Sequence, residues 1–334
     1  MLNNYLKLYF KDQELKDIFK DVVGTDQPKE IQPLLDEQIR EHLSSNIKDI
    51  LFIQSSIGVV FGFLLENNQK ITLKVYSPKL SESYLNEMNY IQDIFYKEKF
   101  PAPQVLTPIF KFGKTRAGIY QFIDGEKEDG HKAVIRSELA KYLAEFIKIA
   151  DEHKIQPMKN FFQQAAKRLW PTPHNVLFNL EKSSKGAGWI AKKALQAKKI
   201  IANKNFKKIL AHTDWGVKNS IFQNNKLAGI FDWDSLGAMS EAEMVGRAAA
   251  QFTADWDSEY KITPSPQEGR LFVEEYQKYR DKRFTADEYQ VVSASADYLI
   301  CIISRFEHAG NNPKIHLYQD LLRKCEKSFL FSEE

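Results

Sequence analysis

Between Leu210 and Ser235 the chain reads LAHTDWGVKNSIFQNNKLAGIFDWDS, short apolar runs with acids and amides set at their ends. KILAH and LAGIFD are short enough for strands and apolar enough to be buried ones. Gln223-Asn224-Asn225, after SIF, predicts a hairpin turn. The expected layout is a strand end at His212, a loop carrying Asp214 and Asn219, a hairpin, and Asp232 where the last strand stops. Strand ends are rigid places to hold side chains. Asp214 and Asp232 supply carboxylates and Asn219 a neutral oxygen, the hard donors that magnesium takes along with phosphate and water. Phosphoryl transfer asks little more of a protein than such donors, positioning, and a base near the attacking hydroxyl.

The rest of the chain supplies two kinds of structure. KEIQPLLDEQIREHL, residues 29–43, has helical apolar spacing at Ile31, Leu34, Leu35, Ile39 and Leu43. From Ile50 the pattern becomes LFIQ, VVFGFLLE and ITLKVY, with Asn67-Asn68 as a turn, which predicts three antiparallel strands. SESYLNEMNYIQDIFYKEK follows as a helix on Tyr84, Met88, Ile91 and Phe95, then IFKFG and AGIYQFID as two further strands. After Gly125 the character turns helical. SELAKYLAEFIKIADEH suggests Ser137 as N-cap, NFFQQAAKRLW runs up to Pro171, and Thr285 with Glu288 has capping-box spacing. The expected fold class is therefore α+β. Residues 1–123 form a β-rich lobe of five antiparallel strands and a helix with an N-terminal helical extension, and 124–334 a helical lobe carrying the opening motif.

Composition narrows the function classes. Lys plus Arg (47) nearly balances Asp plus Glu (44), so net charge gives no argument for nucleic acid or membrane binding. Cys301 and Cys325 stand 24 positions apart with no CxxC pair, which argues against a zinc site or disulfide framework and suits a reducing compartment. No run approaches the roughly 18 apolar residues of a membrane span, and the N-terminus does not read as a signal peptide. A cytoplasmic protein is expected, with no nucleic-acid or membrane partner. Residues 182–208 hold nine lysines and no acid. The solvated face of a helix, with Trp189, Ile190 and Leu195 inward, is the reading favoured over an anionic partner.

His212-x-Asp214, Asn219 and the following GIFDWD together resemble the aminoglycoside phosphotransferase and choline kinase family, small-molecule kinases with a protein-kinase-like two-lobe fold. The resemblance runs from about Leu51 to Asp257. It implies that Asp214 is the catalytic base, that Asn219 and Asp232 are magnesium ligands, and that His212 braces the loop. Asp234 falls where several members carry a second acid and is a candidate third ligand. In ITLKVY the alternation sets Ile71, Leu73 and Val75 on one face and Lys74 on the other. The resemblance makes Lys74 a contact to the nucleotide phosphates and Glu87 its partner on the next helix. Gln121 to Ile123 are then the hinge that holds adenine by backbone groups. Gly58 in SSIGVVFG is read equally as a phosphate contact or a turn glycine. The sequence departs from the family at Thr213, where many members have glycine, and after DWDS, where EAEMVGRAA replaces a common Asp-Leu pair.

These readings predict an ATP- and magnesium-dependent kinase of a small-molecule hydroxyl, with GTP as alternative donor and a monomer or homodimer as its form. An amine is one acceptor considered, because Trp215, Trp233 and Trp256 with Asp255, Asp257 and Glu259 could make an acidic aromatic pocket, although core packing is the preferred account of those tryptophans. The rivals are a pseudokinase or nucleotide-binding interaction protein, and a kinase of protein substrates.

Overall fold

Alternating apolar residues build the first sheet of the computed structural model, which describes residues 2–10, 13–55, 57–163, 168–173, 180–310, 317–325 and 327–331. β1 (Ile47–Ser55), β2 (Val59–Leu65) and β3 (Lys70–Val75) pair antiparallel in turn. β4 (Phe110–Phe112) and β5 (Thr115–Gln121) complete the sheet in the order β1-β2-β3-β5-β4. Val59, Phe61, Phe63 and Leu65 of β2 and Ile71, Leu73 and Val75 of β3 are fully buried. Each such side chain is worth about 1.5–3 kcal/mol relative to exposure.

The same cluster takes Leu6 from α1 (Leu2–Tyr9), Phe19 and Val22 from α2 (Gln13–Val22), and Ile31, Leu35 and Ile39 from α3 (Pro28–Leu43). Of these three helices the apolar pattern delimits only α3, because α1 and α2, of 8 and 10 residues, carry their stripe over fewer than three turns. α4 (Glu82–Lys97) buries Tyr84, Leu85, Met88, Ile91 and Phe95. A polar chain runs through this packing. Tyr120 Oη donates to Asn89 Oδ1 at 2.6 Å and lies 2.5 Å from Tyr76 Oη, while Asn89 Nδ2 donates to the Thr107 carbonyl at 3.4 Å. Buried polar groups persist only when partnered in this way.

These elements make one unit, residues 1–97 with 102–123; residues 98–101 with 124–334 make the other. The second unit contains α5 (Ala133–Glu152), α6 (Gly188–Lys204), β6 (Ile209–His212), β7 (Ser220–Gln223), β8 (Lys226–Ile230), β9 (Leu236–Met239), α7 (Glu241–Gln251), α8 (Pro266–Gln277), α9 (Ala286–Gly310) and α10 (Leu317–Lys324). α9 is its hub, packed by α6, α7 and α10. Arg136 on α5 and Glu275 on α8 form a buried two-pronged pair, Nε to Oε2 and Nη2 to Oε1 both at 3.0 Å. Three of its helices start on side-chain caps. Ser240 and Ser265 make capping boxes with Glu243 and Glu268, and Thr285 with Glu288 behaves as its spacing predicts. No helix of the described residues is long and apolar enough to cross a membrane.

Two local expectations are corrected. α5 begins at Ala133 after Lys132, so Ser137 lies inside the helix and caps nothing. Its apolar face extends a turn further back, through Ile135, than the serine indicates. On α6 the buried residues are Ile190, Ala194 and Ala197, while Leu195 is 48% exposed, because two alanines suffice for close packing on α9. Of NFFQQAAKRLW, Phe161–Gln163 form a single 3-10 turn and residues 164–167 lie outside the described residues.

The α7–α9 contact is close enough to exclude a methyl group. A Cβ on Gly246 would lie 2.0 Å from the Val292 carbonyl oxygen, a backbone atom that cannot swing aside. Gly246→Ala should therefore lower unfolding stability by about 1–3 kcal/mol or more, read by denaturant titration. Unchanged stability would contradict this packing.

His131 links the start of the second unit to α8. Its Nδ1 lies 2.6 Å from Glu268 Oε1 and its Nε2 2.8 Å from the Lys261 carbonyl, so both ring nitrogens face acceptors. The Glu268 hydrogen bond raises the His131 pKa. Burial alone would raise Glu268, yet the bonds from His131 and Ser265 hold it at about 2. The stabilisation from His131 is fully present below its unfolded value near 6.5 and fades as pH rises through the raised folded value. His131→Gln should cost on the order of 1 kcal/mol or less at pH 5.5, solvent screening included, and less again at pH 8.5. Melting curves at the two pH values check this; an equal loss at both refutes it.

Candidate active site

β6 ends at His212, and neighbours hold the loop after it on every side. Trp215 enters the core and donates Nε1 to the Leu139 carbonyl of α5 at 3.0 Å. The Val217 N–H bonds the Phe252 carbonyl at the end of α7 at 3.0 Å, and Gln251 Nε2 reaches the Thr213 carbonyl at 3.3 Å. Lys127 Nζ caps the Val217 and Lys218 carbonyls. Residues 217–219 make one 3-10 turn, which delivers Asn219 to the first residue of the β7–β8 hairpin. That hairpin closes through Asn224 and Asn225, both in the left-handed region (φ 51° and 61°), a type I′ pattern that asparagine tolerates.

The hairpin brings Asn219 and Asp232 to the same end. The Phe231 N–H donates to the Asn219 carbonyl at 2.8 Å, and Asp232 is the next residue. Asp232 has φ 61° and ψ 43°, an uncommon state for a residue other than glycine. Such outliers persist where the surroundings impose them, and they gather at functional sites. Here the imposition is visible. Asn160 Nδ2 donates to the carbonyls of Asp234 (2.8 Å) and Leu236 (3.0 Å), and Thr213 Oγ1 donates to the Ser235 carbonyl (2.8 Å).

His212 is buried between these segments. Its Nε2 lies 2.9 Å from the Phe231 carbonyl and its Nδ1 3.2 Å from Ser235 Oγ. A carbonyl only accepts, so Nε2 carries the proton and Nδ1 accepts from the serine. Burial pushes the His212 pKa down, consistent with a neutral ring. In this position it braces the loop and has no exposed nitrogen to exchange a proton.

Asp214 is half-buried and meets two side chains. Lys218 Nζ lies 2.5 Å from Oδ2, and Asn219 Nδ2 donates to Oδ2 at 3.2 Å and to the Asp214 carbonyl at 2.8 Å. With its amide nitrogen committed to two acceptors, Asn219 turns Oδ1 the other way. Lys218 also lies over the Trp256 ring at 5.3 Å. Neither Lys218 nor Asn160 is picked out by the sequence motifs. Opposite charges four apart, Asp214 and Lys218, are a usable signal for the first; nothing local marks Asn160.

The donor set suits a magnesium–phosphate group. Asp232 and Asn219 offer one carboxylate and one amide oxygen, within the one or two protein carboxylates that magnesium accepts beside phosphate and water. Asp234 is buried in the turn Trp233–Ser235. Among the described residues no three of His, Cys, Asp and Glu gather as a ligand cluster, so Asp214, Asp232 and Asp234 do not form a three-acid cage. The acidic aromatic pocket for an amine is not formed. Trp215 and Trp233 are core residues, 1% and 3% exposed, and Lys127 Nζ stands 3.9 Å from the Asp255 carboxylate.

In the first unit, Lys74 stands on β3 with Nζ 5.6 Å from the centre of the Tyr76 ring. Glu87 is exposed on α4, outside the stripe Tyr84, Leu85, Met88, Ile91, and makes no ion pair with Lys74. A shift of a residue or two in helix phase separates a pairing glutamate from a solvated one, and the structure puts Glu87 among the solvated. Glu82 is bound to Arg116 at 2.6 Å. Gly58 is required by packing, since a Cβ there would lie 2.5 Å from the Val75 carbonyl oxygen; Ser56 beside it lies outside the described residues. Gln121 ends β5 and has committed its N–H to the Gln104 carbonyl at 2.9 Å. Ile123 is the last residue of this unit and keeps its backbone out of the sheet ladder.

The fold is shared with solved small-molecule kinases. An amicoumacin kinase in complex with AMP-PNP, Ca2+ and Ami superposes with a TM-score of 0.62 at 11% identity, covering 88% of this chain and 93% of that one. A choline kinase from Cryptosporidium parvum gives 0.58 at 15% identity over 86% and 92%. A spectinomycin phosphotransferase in complex with ADP and spectinomycin gives 0.54 at 15% identity over 88% and 94%. At these identities the likeness is one of fold. No curated protein matches the sequence. Residues 59–281, two-thirds of the 334, match the phosphotransferase enzyme family (APH). That span holds the loop, the hairpin and the strained Asp232, and the chain belongs to that family.

Proposed function

We propose that the chain is a small-molecule kinase that transfers the terminal phosphoryl group of magnesium-ATP to a hydroxyl. The observation that carries this is the joining of Asp214 to Asn219 by two hydrogen bonds, with Asn219 and Asp232 at one end of a single hairpin. Adenine nucleotide as donor is supported by the similar kinases solved with AMP-PNP and with ADP. Small molecules as acceptors are supported by their amicoumacin, choline and spectinomycin names.

On this reading Asp214 orients the acceptor hydroxyl and takes its proton as the oxygen attacks. Lys218 Nζ and the Asn219 amide both meet Asp214 Oδ2, which leaves Oδ1 as the oxygen to receive the proton. Asn219 Oδ1 and Asp232 would hold the metal, with Lys74 steadying the phosphates. Bound magnesium and nucleotide supply a phosphoryl group whose charge is neutralised and whose approach is set. The buried His212 keeps the ends of β6 and β8 together so that base and ligands stay in register. A positioned base contributes about 10²–10⁴ in rate.

Asp214→Asn should lower turnover by about 10²–10⁴ with nucleotide binding nearly intact, read by phosphorylation of whatever acceptor a metabolite screen identifies. Near-normal turnover removes Asp214 from the role. Asp232→Ala should abolish the magnesium-dependent part of nucleotide affinity. Calorimetry with and without the metal tests this, and an undiminished magnesium effect would overturn the ligand assignment.

A further inference from the structure

Arg247 projects from the middle of α7 into the neighbourhood of Asp214, and its charge is not matched by any described group. Its Nη2 approaches the Thr213 carbonyl at 3.5 Å, the limit of a hydrogen bond. Its Nε is buried with no hydrogen-bond partner at all. A guanidinium presents five N–H donors, so most of its capacity is unused. The residue is not sealed off, because part of its surface stays accessible.

The acids near enough to influence it are both engaged elsewhere. Asp214 is paired with Lys218 and bonded to Asn219. Glu243, one turn back on α7, accepts from the Ser240 N–H and hydroxyl in the capping box and is paired with Lys208. From α9, Tyr298 faces the guanidinium but donates its hydroxyl to the Leu169 carbonyl at 2.5 Å. Gln251, one turn on, gives its amide to the same Thr213 carbonyl. Among the described residues no carboxylate lies within ion-pair distance of Arg247.

A buried cation without a partner is costly, and a planar fork of N–H donors is the shape that carboxylates and phosphates bind. We propose that Arg247 is a specificity-determining residue that binds an oxyanion, a carboxylate or a phosphate ester, carried by the acceptor next to the hydroxyl that is phosphorylated. This rests on the phosphotransfer reading and narrows its substrate class from hydroxyl compounds to anionic ones. Thr213, the residue Arg247 touches, immediately precedes Asp214, so an acceptor hydroxyl at the base places its next few atoms within the guanidinium's reach.

The test uses the full chain with magnesium-ATP and compounds matched on one skeleton. Glycerol, glycerate and glycerol 3-phosphate form one set; glucose, glucuronate, glucose 6-phosphate and glucosamine form another, within a wider metabolite panel sorted by charge. The wild type should phosphorylate anionic members in preference to neutral and cationic ones. In Arg247→Gln the kcat/KM ratio of an anionic substrate to its neutral counterpart should fall about 10- to 100-fold, the usual worth of a hydrogen bond to a charged group. The change should appear in KM more than in kcat, and Arg247→Lys should keep part of the preference. Because the ratio is taken within one preparation, a loss of folded protein cancels from it. Preference for neutral or cationic acceptors, ATP hydrolysis with no anionic compound phosphorylated, or an unchanged ratio in Arg247→Gln each overturns the proposal and leaves the kinase reading standing. Absence of both magnesium-ATP binding and hydrolysis in the wild type removes the kinase reading, and the anion site with it.

Discussion

The site depends on one buried imidazole. His212 Nε2 holds the Phe231 carbonyl and Nδ1 receives Ser235 Oγ, so a single ring ties the end of β6 to both sides of the turn that carries Asp232. The Phe231 carbonyl requires a proton on Nε2, and burial lowers the pKa, the direction that keeps the ring neutral and Nδ1 free to accept from the serine hydroxyl. Phe146, Trp215 and Trp233 surround the ring within 6.5 Å and exclude the water that would compete for its hydrogen bonds. Aromatic packing and hydrogen bonding act together here. The apolar shell makes each polar contact stronger, and the polar contacts give the shell one arrangement.

Around that anchor several of the second unit's less exposed charges are paired or hydrogen-bonded. Arg136 and Glu275 satisfy one another across α5 and α8, Arg280 joins Glu241 to Glu288, and Glu138 accepts the Leu227 N–H behind the hairpin. These contacts position helices, and replacing one partner would strand the other in a poor solvent. The Asp214–Lys218 pair differs because both side chains stay partly exposed, 27% and 30% respectively. Water still reaches them, so the pair can open for an incoming group at modest cost. Fixed ion pairs thus frame a loop whose own pair is loose.

How much of this can be read from the chain alone depends on the range of the interactions. The strand–loop–hairpin–Asp232 order spans little more than twenty residues, and hairpin closure is a local matter of Asn224 and Asn225 adopting positive φ. The cap at Thr285 is local for the same reason. Ser137 fails as a cap because tertiary burial of Ile135 extends α5 past a residue that propensity would choose. Leu195 fails as a core residue because a hydrophobic side chain does not declare which side of a helix the neighbour occupies. Glu87 turns outward for a like reason, the phase of α4 being set by Leu85, Met88 and Ile91 against the rest of the unit. Asn160, seventy-odd positions from the carbonyls it holds, gives no sequence sign at all.

Arg247 belongs to this last group and shows why substrate choice is harder to read than chemistry. The reacting groups must stand at fixed distances from one another, and a short folded segment is the simplest way to fix them. An acceptor only has to touch that segment from one side, so its contacts come from whichever element packs alongside. In this chain that element is α7, held against α9 at Gly246, where the helices approach too closely for a methyl group. The glycine sets the depth of α7, the depth sets how far the next residue, Arg247, reaches toward Thr213, and no motif at the reacting centre encodes either. A helix displaced by one methyl diameter would change the reach of the guanidinium toward Thr213, and would also disturb the contacts that Gln251 and Phe252 make with the loop.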